Sequence, residues 1–176
     1  MTEIAVVVGN PKPRSRTFLV AEAVADRVAE HLCGHRKITI DLIDHADRIF
    51  RWPDDGMNEL AEAVRTSDIV VVASPTYKAS YTGLLKSFLD RYASNSLLGV
   101  RTIPILTASA PEHALAVEFA LRPLLVELGA SVPTRGLYFP MSSMPRFDAT
   151  IDAWIQENVG ALQGRALSAT KKAVTK

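Results

Sequence analysis

The stretch Ile4-Ala5-Val6-Val7-Val8-Gly9-Asn10-Pro11-Lys12-Pro13-Arg14-Ser15-Arg16-Thr17 decides how the chain is read. Five apolar residues in a row, with no polar alternation, are what a short strand buried on both faces looks like. Gly9 ends it. The loop beyond is rich in proline and arginine, and after it Val20, Val24, Val28 and Leu32 recur at four-residue spacing. That spacing predicts a helix laying one apolar stripe on a sheet, with Ser15 or Thr17 as its N-cap.

The same alternation continues outward from this unit. Residues 37–42 read as a second strand, and residues 43–56 as an irregular polar stretch in which Trp52-Pro53 argues against a long element. Leu60, Ala61 and Val64 mark a short helix, and residues 69–73 a third buried strand. A helix is predicted over 82–92 through Leu84, Leu85, Phe88 and Leu89, then a fourth strand over 102–106 despite Pro104. Val117, Leu121, Leu124, Leu125 and Leu128 form the stripe of a long helix that stops at Gly129. A fifth strand falls within 131–139, and Ile151, Trp154, Ile155, Val159 and Leu162 mark the last helix. The reading is one domain over 1–165, with 166–176 as a flexible basic tail.

Strands alternating with helices imply an α/β fold, with right-handed crossovers and one parallel sheet covered on both faces. Among doubly wound folds, the flavodoxin-like five-stranded order 2-1-3-4-5 suits a chain of this size. Ligands then sit beyond the carboxyl ends of strands one and three, where the order reverses.

Composition narrows the class of partner. The 176 residues carry a formal charge of +1, which leaves no overall electrostatic footprint for nucleic acid or an anionic membrane. No apolar run approaches the ~20 residues needed to span a bilayer. The single Cys33 cannot form an internal disulfide and reads as a small buried apolar residue. The N-terminus lacks a basic segment followed by a long apolar run. These features predict a cytoplasmic enzyme.

The two loops at the switch point differ in character. The loop over 9–17 suits a phosphate. A helix start offers unpaired N–H groups, Ser15 and Thr17 add hydroxyls, and Lys12, Arg14 and Arg16 add charge. It lacks both the Gly-Lys-Ser/Thr of a Walker A loop and the Gly-x-Gly-x-x-Gly fingerprint. A solvated basic turn capped by Ser15 would have the same composition. The second loop, Ser74-Pro75-Thr76-Tyr77-Lys78-Ala79-Ser80-Tyr81-Thr82-Gly83, suits a flat ring. Pro75 stiffens it, Thr76 and Tyr77 supply surface and N–H groups, and Gly83 would allow close approach. Taken alone it also reads as an ordinary turn with half-buried tyrosines.

Read together with Leu84-Leu85-Lys86-Ser87-Phe88-Leu89-Asp90, this second loop resembles the hallmark of NAD(P)H-dependent FMN reductases, and the loop over 9–17 is similar to that family's phosphate loop. A third segment, His113-Ala114-Leu115-Ala116-Val117-Glu118-Phe119-Ala120-Leu121-Arg122-Pro123-Leu124-Leu125, resembles the subgroup that serves two-component alkanesulfonate and related monooxygenases. The resemblance implies bound FMN and NADPH or NADH as co-substrate, so the partners are a small-molecule flavin and a nicotinamide. It also implies a flavin-dependent monooxygenase that receives the reduced flavin. By position, Asn10, Lys12, Ser15, Arg16 and Thr17 match the phosphate-binding residues. Pro75, Thr76, Tyr77 and Lys78 match the loop that holds the isoalloxazine ring, and Thr107, Ala108, Ser109 and Ala110 the loop that borders it. Three features depart from the family pattern: Asn10 stands where Ser is usual, Lys12 where Arg is usual, and Ser109-Ala110 replaces a pair of glycines.

No residue is assigned a catalytic role, because hydride transfer belongs to the cofactors. His113 reads as a helix-start histidine with local partners, and Asp41 and Asp44 as solvated loop acids. Pro123 has no N–H, so the carbonyl of Phe119 loses its helical partner and the helix must kink or widen there. Widened turns often mark functional sites, although a kinked core helix fits equally. In the resembling subgroup such a turn lies at a subunit interface beside the flavin. Leu115, Ala116, Phe119 and Ala120 lie off the main apolar face and predict a homodimer or homotetramer. Two alternatives share the family's features: a quinone, azo or metal-oxyanion reductase with tightly bound FMN, and a flavodoxin-type electron carrier. The near-neutral charge disfavours the carrier.

Overall fold

In the computed structural model, which describes residues 1–163, the apolar runs pair into a five-stranded parallel sheet of order β2-β1-β3-β4-β5. The expected basic tail over 166–176 lies outside the described residues. The strands are β1 (Glu3–Val8), β2 (His35–Asp41), β3 (Ile69–Pro75), β4 (Arg101–Ala108) and β5 (Leu137–Pro140). The helices are α1 (Arg16–Leu32), α2 (Asp55–Arg65), α3 (Gly83–Leu89), α4 (Arg122–Glu127) and α5 (Phe147–Leu162). The order and parallel sense are those expected from the strand and helix pattern.

Because side chains of a strand alternate between faces, the sheet builds two cores. Val6, Val8, Val71, Ala73 and Ile105 pack under α1 and α5, against Val20, Val24, Val28, Ile151 and Ile155. Ala5, Val7, Val70, Val72 and Leu106 pack on the other face, against Met57, Val64, Leu85, Phe88, Leu121 and Leu125. Every residue of β3 is buried, as its unbroken apolar run requires. Pro104 is tolerated inside β4 for a geometric reason. The N–H of Thr102 points outward to Ser131 O at 2.7 Å, so the N–H that Pro104 lacks would have pointed the same way. Pairing with β5 begins only at Ile105.

Local chemistry sets the helix ends. Ser15 caps α1 by accepting from Phe18 N, Asp54 caps α2 through Met57 N, and Thr82 caps α3 through Leu85 N. The irregular stretch before α2 therefore ends at Asp54, two residues earlier than its composition suggested. The segment read as one long helix before Gly129 is divided into a 3₁₀ turn (Pro111–His113), a π turn (Val117–Leu121) and α4. The π turn is closed by Arg122 N donating to Val117 O, five residues back. Of the two responses open to a helix with a missing N–H at Pro123, a kink or a widening, the chain adopts the widening.

Two expectations are corrected. Cys33 is exposed, because it is the left-handed residue that ends α1 (φ 49°) and its side chain leaves the packed face. Gly83 makes no close approach, since a Cβ there would meet nothing within 4 Å. The tight glycine is Gly9, where a Cβ would stand 2.5 Å from Leu85 Cβ. Gly9→Ala should therefore destabilise the fold by about 1–3 kcal/mol through overpacking, whereas Gly83→Ala should be neutral or slightly stabilising. Denaturant unfolding of both variants checks the contrast, and equal stabilities would contradict it.

Candidate active site

β1 ends at Val8, level with Asp41 on β2 and Ala73 on β3. Gly9 is held where the strand stops. Its N–H donates to Ala73 O at 2.8 Å, and its carbonyl accepts from the Thr82 hydroxyl at 2.6 Å. Thr82 N in turn donates to Ser74 Oγ at 3.0 Å. Thr82 and Ser74, to which the sequence assigned no role, thus lock the loops after β1 and β3 to each other. Both are buried. Their only signal in the sequence is a hydroxyl residue at an N-cap and at a strand end.

Above this lock lies a cavity of about 300 Å³, lined by Asn10, Lys12, Ser15, Arg16, Thr17, Pro75, Thr76, Tyr77, Thr107, Ala108, Ser109 and Met141. The three loops singled out in the sequence converge here. Lys78 and Ala110 do not line the cavity. Lys78 sits at the exposed tip of a tight turn closed by Tyr77 N to Ser80 O at 2.8 Å, with φ of 52°. The Ala110 carbonyl is turned away to accept from the Tyr138 hydroxyl. Met141, which joins from the 3₁₀ segment after β5, carries no polar signature that sequence reading could have found. His113 donates its N–H to Ala110 O and does not line the cavity.

Asn10 serves the loop itself. Its Oδ1 accepts from Lys12 N at 2.9 Å, which orients the amide so that Nδ2 donates to Thr17 Oγ1 at 2.9 Å. Thr17 Oγ1 lies 2.7 Å from Thr107 Oγ1, so a buried chain of polar groups joins the loop after β1 to the end of β4. Thr76 N donates to Thr107 O at 2.8 Å, bringing the third loop into register. Thr76 Oγ1 is buried without a hydrogen-bond partner among the described residues. The first N–H groups of α1 also lack intrahelical partners. Among the described residues, neither Lys12 nor Arg16 has a carboxylate partner. This donor set, an open hydroxyl included, fits a ligand rich in acceptors and anionic at one end, as FMN is.

Arg14 is different, and so is Asp41. Asp41 was expected to be solvated, but its side chain is only 2% exposed and its Oδ2 accepts both Arg14 N at 2.9 Å and Arg14 Nη1 at 2.8 Å. Asp44 takes Arg14 Nη2 at 2.7 Å. Asp44 first and Asp41 second push the Arg14 pKa up. The charge that Arg14 was expected to lend the cavity is thereby spent on two carboxylates.

These features coincide with a family. The profile described as NADPH-dependent FMN reductase matches residues 2–142. The chain belongs to that family of oxidoreductases. It is 29% identical over 160 residues to the FMN reductase (NADPH) of Pseudomonas putida, covering 89% of this chain and 79% of that protein. With the FMN reductase (NADPH) of Escherichia coli it is 34% identical over 88 residues, 50% of this chain, a match that spans only 46% of that relative. The solved apo form of the NADH:FMN oxidoreductase EMOB superposes with a TM-score of 0.76 at 27% identity, covering 90% of each chain. Family members thus work with FMN and with NADPH or NADH.

A second cavity, about 680 Å³, opens along the outer edge of β5 and includes Val117, Glu118, Arg122, Thr134 and Trp154. Glu118 and Arg122 are occupied with structure here. Arg122 donates to Glu118, to Val132 O at 2.8 Å and to Thr134 O at 2.7 Å, while Glu118 accepts from Gly136 N at 2.7 Å. They clamp the π turn to the segment leading into β5. The Arg122 guanidinium, aided by Gly136 N–H and opposed by desolvation, holds the Glu118 carboxyl below its usual range. A depressed folded value means the clamp stabilises fully above the unfolded carboxyl pKa of about 4.3 and is lost as pH falls through the folded value. Glu118→Gln should therefore lower the melting temperature most near neutral pH, and the gap to the wild type should narrow steadily as pH falls below the unfolded carboxyl value of about 4.3. A constant gap would contradict the linkage.

Proposed function

We propose that this chain is an NAD(P)H-dependent FMN reductase that delivers reduced flavin to a separate flavin-dependent monooxygenase in the cytoplasm. One observation carries the reading: the switch-point cavity joins an anion-seeking helix start, flanked by Lys12 and Arg16 with no carboxylate partner among the described residues, to the two loops that end β3 and β4. Lys12, Ser15, Arg16 and Thr17 would hold the phosphate, with Asn10 shaping their loop. Pro75, Thr76, Tyr77, Thr107, Ala108 and Ser109 would border the ring, and Lys78 and Ala110 would support their loops from outside the cavity. FMN, when bound, supplies the hydride acceptor. The protein contributes orientation and a surface over which a nicotinamide can lie, and needs no acid or base of its own. Relatives named for NADPH and for NADH leave both nicotinamides in play. Lys12, Arg16 and Tyr77 are exposed, which suits a flavin that enters and leaves.

The same reading includes a homodimer or homotetramer. Leu115, Phe119 and Val126, flanking or within the π turn and α4, are 63%, 76% and 55% exposed, an apolar surface that a second copy would cover.

Oxidation of NADPH or NADH should require added FMN and saturate at micromolar flavin, within the usual range of KM. Protein that purifies with stoichiometric FMN, ignores added flavin and turns over rapidly with a quinone would replace this reading with that of a bound-flavin quinone reductase. Arg16→Ala should weaken FMN binding by about 1–3 kcal/mol, the size of a charge-assisted hydrogen bond, and leave riboflavin binding unchanged. Sedimentation at micromolar concentration should show an oligomer that Phe119→Asp dissociates, and a monomeric wild type would refute the assembly.

A further inference from the structure

We infer that Asp41 is a positioning residue for the flavin phosphate, acting through Arg14 without touching the ligand; this rests on the FMN reading above. Arg14 is held in the left-handed region (φ 48°), which a residue with a side chain adopts only when its surroundings impose it. Asp41 imposes it. One buried oxygen, Oδ2, accepts both the backbone N–H and a guanidinium N–H of the same residue, and Asp44 fixes the other guanidinium nitrogen. The next residue, Ser15, is the N-cap of α1 and lines the cavity. The peptide plane between Arg14 and Ser15 therefore decides where the Ser15 N–H points, and with it the entry into the N–H groups of Arg16 and Thr17. Were Arg14 to relax to right-handed backbone, that plane would rotate and the donors would no longer converge.

Charge and geometry make opposite predictions here. Removing the Asp41 carboxylate deletes a negative charge near the phosphate loop and frees the Arg14 guanidinium, so simple attraction predicts tighter FMN binding. If Asp41 works by shaping the loop, FMN binding weakens instead. Riboflavin, which has no phosphate, is the control for general damage.

The test is a fluorescence titration of the purified protein with FMN and with riboflavin, alongside thermal melts to confirm folding. The variants are Asp41→Asn, Arg14→Ala and their combination. Asp41→Asn should weaken FMN roughly tenfold or more, the loss of a charge-assisted hydrogen bond expressed as a dissociation constant. Riboflavin should stay within about twofold, and the double variant should bind FMN within about twofold of Asp41→Asn, because both changes break one device. Should Asp41→Asn not fold, Arg14→Ala and Arg14→Gly delete the same charge but only glycine adopts the left-handed backbone freely, so the alanine should weaken FMN more than the glycine while both spare riboflavin, and equal losses from the two would overturn the inference. Unchanged or tighter FMN binding, or equal losses for both flavins, would overturn the inference while a wild type that prefers FMN keeps the function intact. A wild type that binds neither flavin would overturn the functional reading, and this inference with it.

Discussion

Strand β1 is hydrogen-bonded along both edges, and the level at which it stops determines where the rest of the site can stand. Val8 is paired with Asp41 on one side and Ala73 on the other, so the chain leaves the sheet between two neighbours fixed in height. Gly9 then has its N–H on Ala73, its carbonyl under the Thr82 hydroxyl and its Cα against Leu85. α1 departs toward one face of the sheet, and the chain after β3 toward the other. A crevice is left at that divergence, as it is in open α/β sheets generally.

Around the crevice, polar groups divide by task. Asn10, Asp41, Ser74 and Thr82 point into the protein and fix the backbone of the loops. Lys12, Arg16 and Thr76 keep donors without protein partners among the described residues. The first group makes the second effective, because a donor helps a ligand only if it is already aimed when the ligand arrives. Asn10 shows the first task within one side chain: its amide accepts from Lys12 N and donates to Thr17 at once.

The fold was legible in the sequence because a fully covered parallel sheet needs unbroken apolar runs, and Ile4–Val8 and Ile69–Ala73 could hardly be anything else. A break in regular helix geometry beside Pro123 was legible too, since Pro123 removes one specific N–H, but whether the helix would kink or widen was not. What stayed hidden depends on distant partners. Asp41 has the look of any acid after a strand until Arg14, 27 residues earlier, folds against it. Gly9 and Gly83 are indistinguishable until Leu85 is found beneath one and open space beside the other. Lys78 and Ala110 belong to loops that border the cavity, but a tight turn at one and the Tyr138 hydroxyl at the other direct them away from it.

In the proposed function, the loop after β1 grips the flavin's phosphate while the loops after β3 and β4 border its ring. Hydrogen–deuterium exchange with and without ligand measures this directly. Saturating FMN should slow exchange over residues 10–17, 76–80 and 107–110, and riboflavin should protect the latter two segments while leaving 10–17 as fast as in the free protein. Equal protection of 10–17 by both flavins, or protection confined to the β5-edge cavity around residues 117–122 and 132–137, would contradict the account.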